Sequence, residues 1–138
     1  GTMEVHVTGM GRNNAGRVGR SVLDALGEAG AVITSGFAGG LDPDLPCGQV
    51  LVDGDPGLLL AERLVQSGAR RGRFHEATRV AVTPDDKARL RRETGVEAVE
   101  MESTTLRTLA RERQMPSTTV REISAAAVDR LPVVGGAF

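Results

Sequence analysis

Polar and apolar residues alternate over residues 4–8 (EVHVT), and Gly9, Met10 and Gly11 follow at once. That pattern predicts a strand ending in a glycine turn. A helix is expected next, capped by Asn13 or Asn14, because Val18, Val22 and Leu26 with Ala25 and Ala29 form one apolar stripe at helical spacing before Gly30 stops it. Residues 31–34 (AVIT) are a short apolar run bounded by glycines, as in a buried parallel strand, and residues 35–40 read as a glycine-rich exit from its end. Residues 49–52 (QVLV) predict another strand. Asp55 and Pro56 suit the cap and first position of a helix over residues 58–66, stopped by Gly68. Residues 79–82 (RVAV) are strand-like. Thr83, Pro84 and Asp86 carry the spacing of a capping box, so a helix runs through Lys87 and Arg92 to Gly95. A short strand over 96–99, a helix over 103–114 with Leu106, Leu109 and Ala110 on one face, and a strand over 118–123 complete the reading.

Strands and helices therefore alternate along the chain. That order predicts an α/β protein, a three-layer α/β/α domain with a mostly parallel central sheet. The 138 residues make a single domain, 1–138, large enough for one core. Gly1 and Thr2 before Met3 read as a tag remnant, and residues 131–138 as a tail or an edge packing segment. In such a sheet ligands bind outside the carboxyl ends of the strands, where the turn at 9–14, the turn at 35–40 and residues 100–102 are expected to lie.

Composition narrows the partners. Seventeen basic and eighteen acidic residues give a formal net charge of −1, so no global field recruits nucleic acid or an anionic membrane. Three Phe with neither Tyr nor Trp leave few platforms for stacking bases, and nucleic acid is excluded as an expected ligand. The basic cluster Arg70, Arg71 and Arg73 reads as a solvated turn. A single cysteine, Cys47, excludes an intramolecular disulfide framework and points to a reducing cytoplasm. No apolar run reaches the roughly 18 residues of a membrane span. His6 and His75 lack metal-ligand spacing, and no metal site is expected.

Gly9, Gly11 and Gly16 superficially suggest a dinucleotide fingerprint, but their spacing is wrong, and the acid expected about 20 residues further on would be Glu28, inside the predicted helix. The run 32–42 (VITSGFAGGLD) is harder to explain by packing, since Gly36, Gly39 and Gly40 crowd one strand end. With Ala38, Leu41, Pro43, Leu45, Gly48, Val50 and Val52 it resembles a conserved stretch of the nucleoside phosphorylase and nucleosidase superfamily. Three more segments resemble that family in the same order: 8–15 (TGMGRNNA) its preceding glycine turn, 95–103 (GVEAVEMES) its ribose segment, and 120–124 (VREIS) its arginine-containing strand. The similarity covers about residues 5–132. Around residues 83–103, with Pro84, Lys87, Leu90, Gly95 and the Met-Glu-Ser, it is nearest to the hopanoid-associated phosphorylase branch.

The resemblance implies cleavage of the N-glycosidic bond of a purine-type nucleoside, with inorganic phosphate or water as acceptor and no other cofactor. Breaking that bond builds positive charge on the sugar, so a fixed carboxylate on the ribose hydroxyls helps most in the transition state. Glu102 matches the family residue in that role. Met101 matches the apolar residue lining the ribose, and Glu100, Phe37, Ala38, Gly39 and Ser124 fall in substrate-binding segments. Gly11, Arg12, Gly40 and Arg121 are the expected anion-binding residues, although Arg121 equally suits a structural ion pair. Relatives share pocket residues across interfaces, which implies a homo-oligomer binding a small nucleoside.

Three departures qualify this. The family's acid after Ile-Ser is replaced by Ala125, and loss of a positioned general acid typically costs roughly 100 to 10,000-fold. Phe37 stands where many relatives carry a small hydroxyl residue. The family's opening strand and hairpin and most of its closing helix have no counterpart, and the connection between Val52 and Arg79 is short. The expectation is therefore weak or altered activity, with a non-catalytic nucleoside- or partner-binding relative as the alternative. Asp129, four residues beyond Ala125, substitutes for the acid only if the local backbone differs.

Overall fold

In the computed structural model the described residues are 1–28, 30–81 and 83–130. The expectations for Ala29, Val82 and residues 131–138 lie outside them. The elements are α1 (Arg12–Leu26), β1 (Val32–Gly40), β2 (Val50–Gly54), α2 (Leu60–Gln66), β3 (Arg70–Arg71), β4 (Phe74–Glu76), α3 (Pro84–Thr94), β5 (Ala98–Glu100), α4 (Ser103–Glu112) and β6 (Ser117–Ala125).

The strands form one six-stranded sheet in the order β3-β2-β6-β1-β5-β4. Three of its five ladders are parallel: β1 with β6, β2 with β3 and β4 with β5. The other two, β2 with β6 and β1 with β5, are antiparallel. Side chains alternate between faces along each strand. Val32 joins the core of α1 and α4, made of Ala15, Leu23, Leu106, Leu109, Ala110 and Met115, which puts both helices on one face. Val99, paired with Gly39, packs with Leu90 of α3 on the other face. Ala61 of α2 also lies there, against the Gly54 and Thr118 pair. The protein is thus an α/β fold with helices on both sides of a mixed sheet. A further core brings together Ala38, Leu45, Leu51, Ala98 and Ile123 with Phe74.

The capping signals around α3 act as expected. Thr83 Oγ1 accepts from the Asp86 amide at 3.1 Å, Asp86 accepts from the Thr83 amide at 3.4 Å, and Gly95 closes the helix in the left-handed conformation. Other boundaries move. The cap of α1 is Gly11, without a side-chain bond, and neither Asn13 nor Asn14 takes that place. The buried face of α1 is Ala15, Gly19 and Leu23, whereas Val18 and Val22 are half-buried and Leu26 is exposed. Gly19 lets the helices touch: a Cβ there would stand 2.8 Å from Leu106 and 3.1 Å from Leu109. Asp55 does not cap α2, which begins at Leu60; its carboxylate accepts from the Ser117 amide at 2.7 Å and ties the end of β2 to the start of β6.

Four expectations about strands are corrected. Residues 35–40 are not an exit turn: β1 continues to Gly40 because β6 pairs with it along its length and β5 joins at Gly39 and Gly40. Residues 79–81 are coil, and the strand in that region is β4 instead. Arg70 and Arg71 form the short edge strand β3 rather than a turn, with exposed charged side chains of the kind that discourage edge-to-edge association. Residues 4–8 keep the alternation of a strand but hydrogen-bond to no strand among the described residues, where Val5 is 81% and Val7 90% exposed.

Candidate functional site

The site begins with that missing partnership. β5 pairs with β1 only at Gly39 and Gly40, so residues 32–37 of β1 have a neighbour on one edge, β6, and none among the described residues on the other. A cleft of about 790 Å³ runs along this open edge and reaches around it to both faces. Residues 4–10 form its far wall. The apolar stripe of α1, Val18, Val22 and Leu26, lines it with Ala77 and residues 79–81, and the end of β5 closes it at residues 99–102. The apolar stripe read from the sequence therefore belongs, at Val18, Val22 and Leu26, to a cavity wall.

Glu102 sits where β5 gives way to α4. Its Oε2 accepts a hydrogen bond from the backbone amide of Gly11 at 2.9 Å. Gly11 adopts φ +88° and ψ 163°, backbone that only glycine enters readily, and this turns its amide toward the carboxylate. Among the described residues the other carboxylate oxygen, Oε1, makes no hydrogen bond. Met101 lies beside Glu102 on the cleft wall.

Glu100 plays a different part from the one expected of it. Its side chain is 1% exposed, and Oε1 accepts from the Ser103 amide at 2.6 Å and from Nη2 of Arg121 at 3.2 Å, while Oε2 accepts from the Glu102 amide at 3.2 Å. It caps α4 from outside the helix, where first-turn amides favour a negative charge. Burial pushes its carboxyl upward in pKa, against the lowering pull of Ser103 and Arg121. Arg121 is equally enclosed. Its guanidinium also donates to the Thr34 carbonyl at 2.9 Å and hydroxyl at 2.8 Å, and burial lowers its pKa. Arg121 thus makes the ion pair, and it also borders the cleft, where its Nε has no partner among the described residues.

Phe37, Ala38, Gly39 and Ser124 also line the cleft, and Phe37 is 67% exposed. The expected anion ligands fare less well. Gly40 is buried, paired with Ala98, with Ile123 3.4 Å from where its Cβ would be. Arg12 turns away from the cleft and pairs with Glu76 at 3.8 Å, and the Gly11 amide is taken by Glu102. Asp129 is outside the cleft too. It accepts from the Ala126 amide at 3.0 Å and lies 3.7 Å from Cys47 Sγ, beside the buried Lys87, whose ammonium donates to the carbonyls of Ala126 and Asp129. It cannot stand in for the acid missing at Ala125.

Sequence reasoning missed the far wall, residues 4–7 with Arg79 and Val80, and it missed Glu76, which accepts from the Thr105 amide and hydroxyl and so supports the same turn of α4. The strand pattern of residues 4–8 was the available signal for the wall. Glu76 had none, being 29 positions from Thr105. Among the described residues, no three His, Cys, Asp or Glu side chains gather as a metal site requires.

The sequence model of the phosphorylase superfamily matches residues 62–133, just over half the chain. The chain belongs to the phosphorylase superfamily. Curated protein sequences give no match. Solved structures do. The 5'-methylthioadenosine/S-adenosyl homocysteine nucleosidase of Campylobacter jejuni superposes with a TM-score of 0.78 at 19% identity, over 92% of this chain and 69% of that one. A futalosine hydrolase mutant from Helicobacter pylori gives 0.77 at 22%, over 89% and 68%. The S-adenosylhomocysteine nucleosidase of Streptococcus pyogenes, in complex with 5-methylthiotubericidin, gives 0.77 at 19%, over 88% and 65%. At these identities the superpositions establish a shared fold, and this superfamily member spans about two thirds of each relative.

Proposed function

We propose that this phosphorylase-superfamily chain binds a purine-type nucleoside in the cleft along β1 and cleaves its N-glycosidic bond, with Glu102 holding the ribose. One observation carries the reading: a carboxylate at the cleft wall, fixed by the Gly11 amide through Oε2, with Oε1 left to accept from sugar hydroxyls. Hydrogen bonds to a carboxylate strengthen as the sugar gains positive charge, which is the differential binding catalysis requires. The nucleosidase and hydrolase activities named for the structural neighbours support the same chemistry. Water is the acceptor in this proposal. Of the four residues expected to hold phosphate, Gly11 is engaged, Arg12 faces outward and Gly40 is buried, while Arg121 commits both Nη atoms to Glu100, Thr34 and the Val120 carbonyl and, among the described residues, keeps only Nε free at the cleft.

A second reading rests on Ala125, which is buried and brings no proton to a departing base, with Asp129 held elsewhere. On that reading the cleft binds a nucleoside without cleaving it. The exposed Val5, Val7 and Phe37 beside the cleft support a homo-oligomer that covers them, in the reducing cytoplasm inferred from the single cysteine. Light scattering on the pure protein tests the oligomer, and a monomer at all concentrations overturns it.

The decisive assay incubates pure protein with a panel of purine nucleosides, with and without phosphate, and chromatographs for free base. Base release that is independent of phosphate and disappears in Glu102→Ala supports the proposal. No release at high protein, with nucleoside still raising the melting temperature, favours the binding reading. Neither release nor binding sinks both.

A further inference from the structure

Glu102 owes its place to a carboxylate buried behind it. Three donors converge on the buried carboxylate of Glu100: the amides of Glu102 and Ser103 and one nitrogen of Arg121. The first two belong to the joint at which β5 becomes α4, and the third belongs to β6. Arg121 is in turn fixed by both oxygens of Thr34 on β1. The backbone of Glu102 is thereby tied to three strands, while its side chain is aimed by a fourth element, the Gly11 turn ahead of α1. Glu102 caps α4 with no side-chain bond of its own, so the capping done by Glu100 leaves the Glu102 carboxylate available to the cleft.

We infer that Glu100 is a positioning residue: together with Arg121 it sets the backbone of Glu102 so that the Glu102 carboxylate meets the Gly11 amide and faces the cleft. The inference deepens the proposed function, in that the group being positioned is the one assigned to ribose. The arrangement needs a full carboxylate. A glutamine of the same shape has one acceptor oxygen for three donors, and its own N–H groups would meet at least one of them head-on. Leaving a buried donor unmatched is costly, so the joint must shift.

Amide hydrogen exchange at Gly11 tests this without any ligand. Exchange there is expected to quicken about tenfold in Glu100→Gln, as it does in Glu102→Ala, since each releases one hydrogen bond to a charged acceptor. The Asp86 amide, held in the distant capping box of α3, is expected to keep its wild-type rate in both. Wild-type protection of Gly11 in Glu100→Gln overturns the inference. So does equal acceleration at Gly11 and Asp86, which would mark general destabilisation rather than positioning. A second measurement takes the dissociation constant of adenosine. Glu100→Gln is expected to weaken it about tenfold when Glu102 is present and not at all in a Glu102→Ala background. Equal losses in both backgrounds also overturn the inference. A wild-type protein that binds no nucleoside overturns the proposed function instead, and Gly11 exchange still decides the role of Glu100.

Discussion

The Gly11 amide and the Glu102 carboxylate, 91 positions apart in sequence, meet at 2.9 Å across the joint between the first turn and α4. Few single contacts in the protein link so many consequences. The turn ahead of α1 has its glycine because of this bond, and the carboxylate at the cleft is immobilised by it. An unsupported glutamate on a strand end would sample several rotamers, each ordering on ligand binding at an entropic cost.

Gly11→Ala tests the backbone half of that contact. A Cβ at this position meets nothing nearer than Met101 at 4.0 Å, so crowding is not the obstacle. The obstacle is φ +88° with ψ 163°, a region alanine enters at a cost of about 1–3 kcal/mol. Chemical denaturation should show a loss of that size with an unchanged m-value. Stability equal to wild type would mean that the turn readily adopts another conformation.

The Arg121 and Glu100 pair is a buried ion pair in which burial shifts both groups toward their neutral forms. Such pairs add little as a unit but are damaging to break. Arg121→Met is expected to cost about 3–5 kcal/mol, because it strands a buried carboxylate. Adding Glu100→Gln should recover at least half of that loss, the signature of coupled neighbours. The pH dependence has a definite sign. Glu100 binds its proton more tightly folded than unfolded, so its contribution to stability is fully present in acid and is lost as pH rises through the folded-state pKa. Denaturation of wild type and Arg121→Met at several pH values checks this: the penalty should shrink as the medium is acidified, and a penalty that grows would contradict the assignment.

How legible was all this in the sequence? The capping box at Thr83 and Asp86, the order of α3, β5, α4 and β6, and the position of Glu102 at a strand end came from local signals that the fold kept. Tertiary pairing decided the rest. Gly36, Gly39 and Gly40 look like a turn in one dimension, but in space they let β1 lie against the Arg121 side chain, Val99 and Ile123. Residues 4–8 have a strand's alternation, yet a strand exists only where a partner offers hydrogen bonds, and none of the described strands does. The stripe Val18, Val22 and Leu26 is helical as its spacing predicts, but periodicity cannot distinguish a core from the wall of a cleft, which is what it lines. Glu100 and Glu102 are two positions apart and chemically alike. Their division into a buried cap and a cleft carboxylate follows from where β5 ends: Glu100 is its last residue and Glu102 lies beyond it at the start of α4, a boundary invisible before the pairing with β1 is known.

The capping box of α3 offers an independent check of the fold away from the site. Thr83→Ala should cost about 1 kcal/mol, the usual worth of a hydroxyl cap. Bonds from the Thr83 hydroxyl side and amide lower the pKa of Asp86. The folded state therefore favours its charged form, and its stabilising contribution is present above the unfolded pKa and lost as pH falls. Wild type should lose stability faster than Asp86→Asn on acidification, measured by thermal melts from neutral pH downward. Parallel slopes would show that the box closes equally well without the charge.

Phe37 separates stability from function. The residue is 67% exposed on the cleft wall, so Phe37→Ser removes little packing and should change stability by no more than about 0.5 kcal/mol. Its place on β1, opposite Glu122 in the parallel ladder and one residue before the buried Ala38, is held by the backbone and survives the substitution. The effect on the cleft should be large by comparison. Phe37 lines the cleft, and serine exchanges its bulk for a hydroxyl able to hold a water or an anion. Base release from purine nucleosides is expected to rise severalfold in Phe37→Ser while the melting temperature stays near wild type. A fall in release together with weaker nucleoside binding would instead assign the ring to stacking on the base, and the acceptor would then have to approach from the α1 side of the cleft.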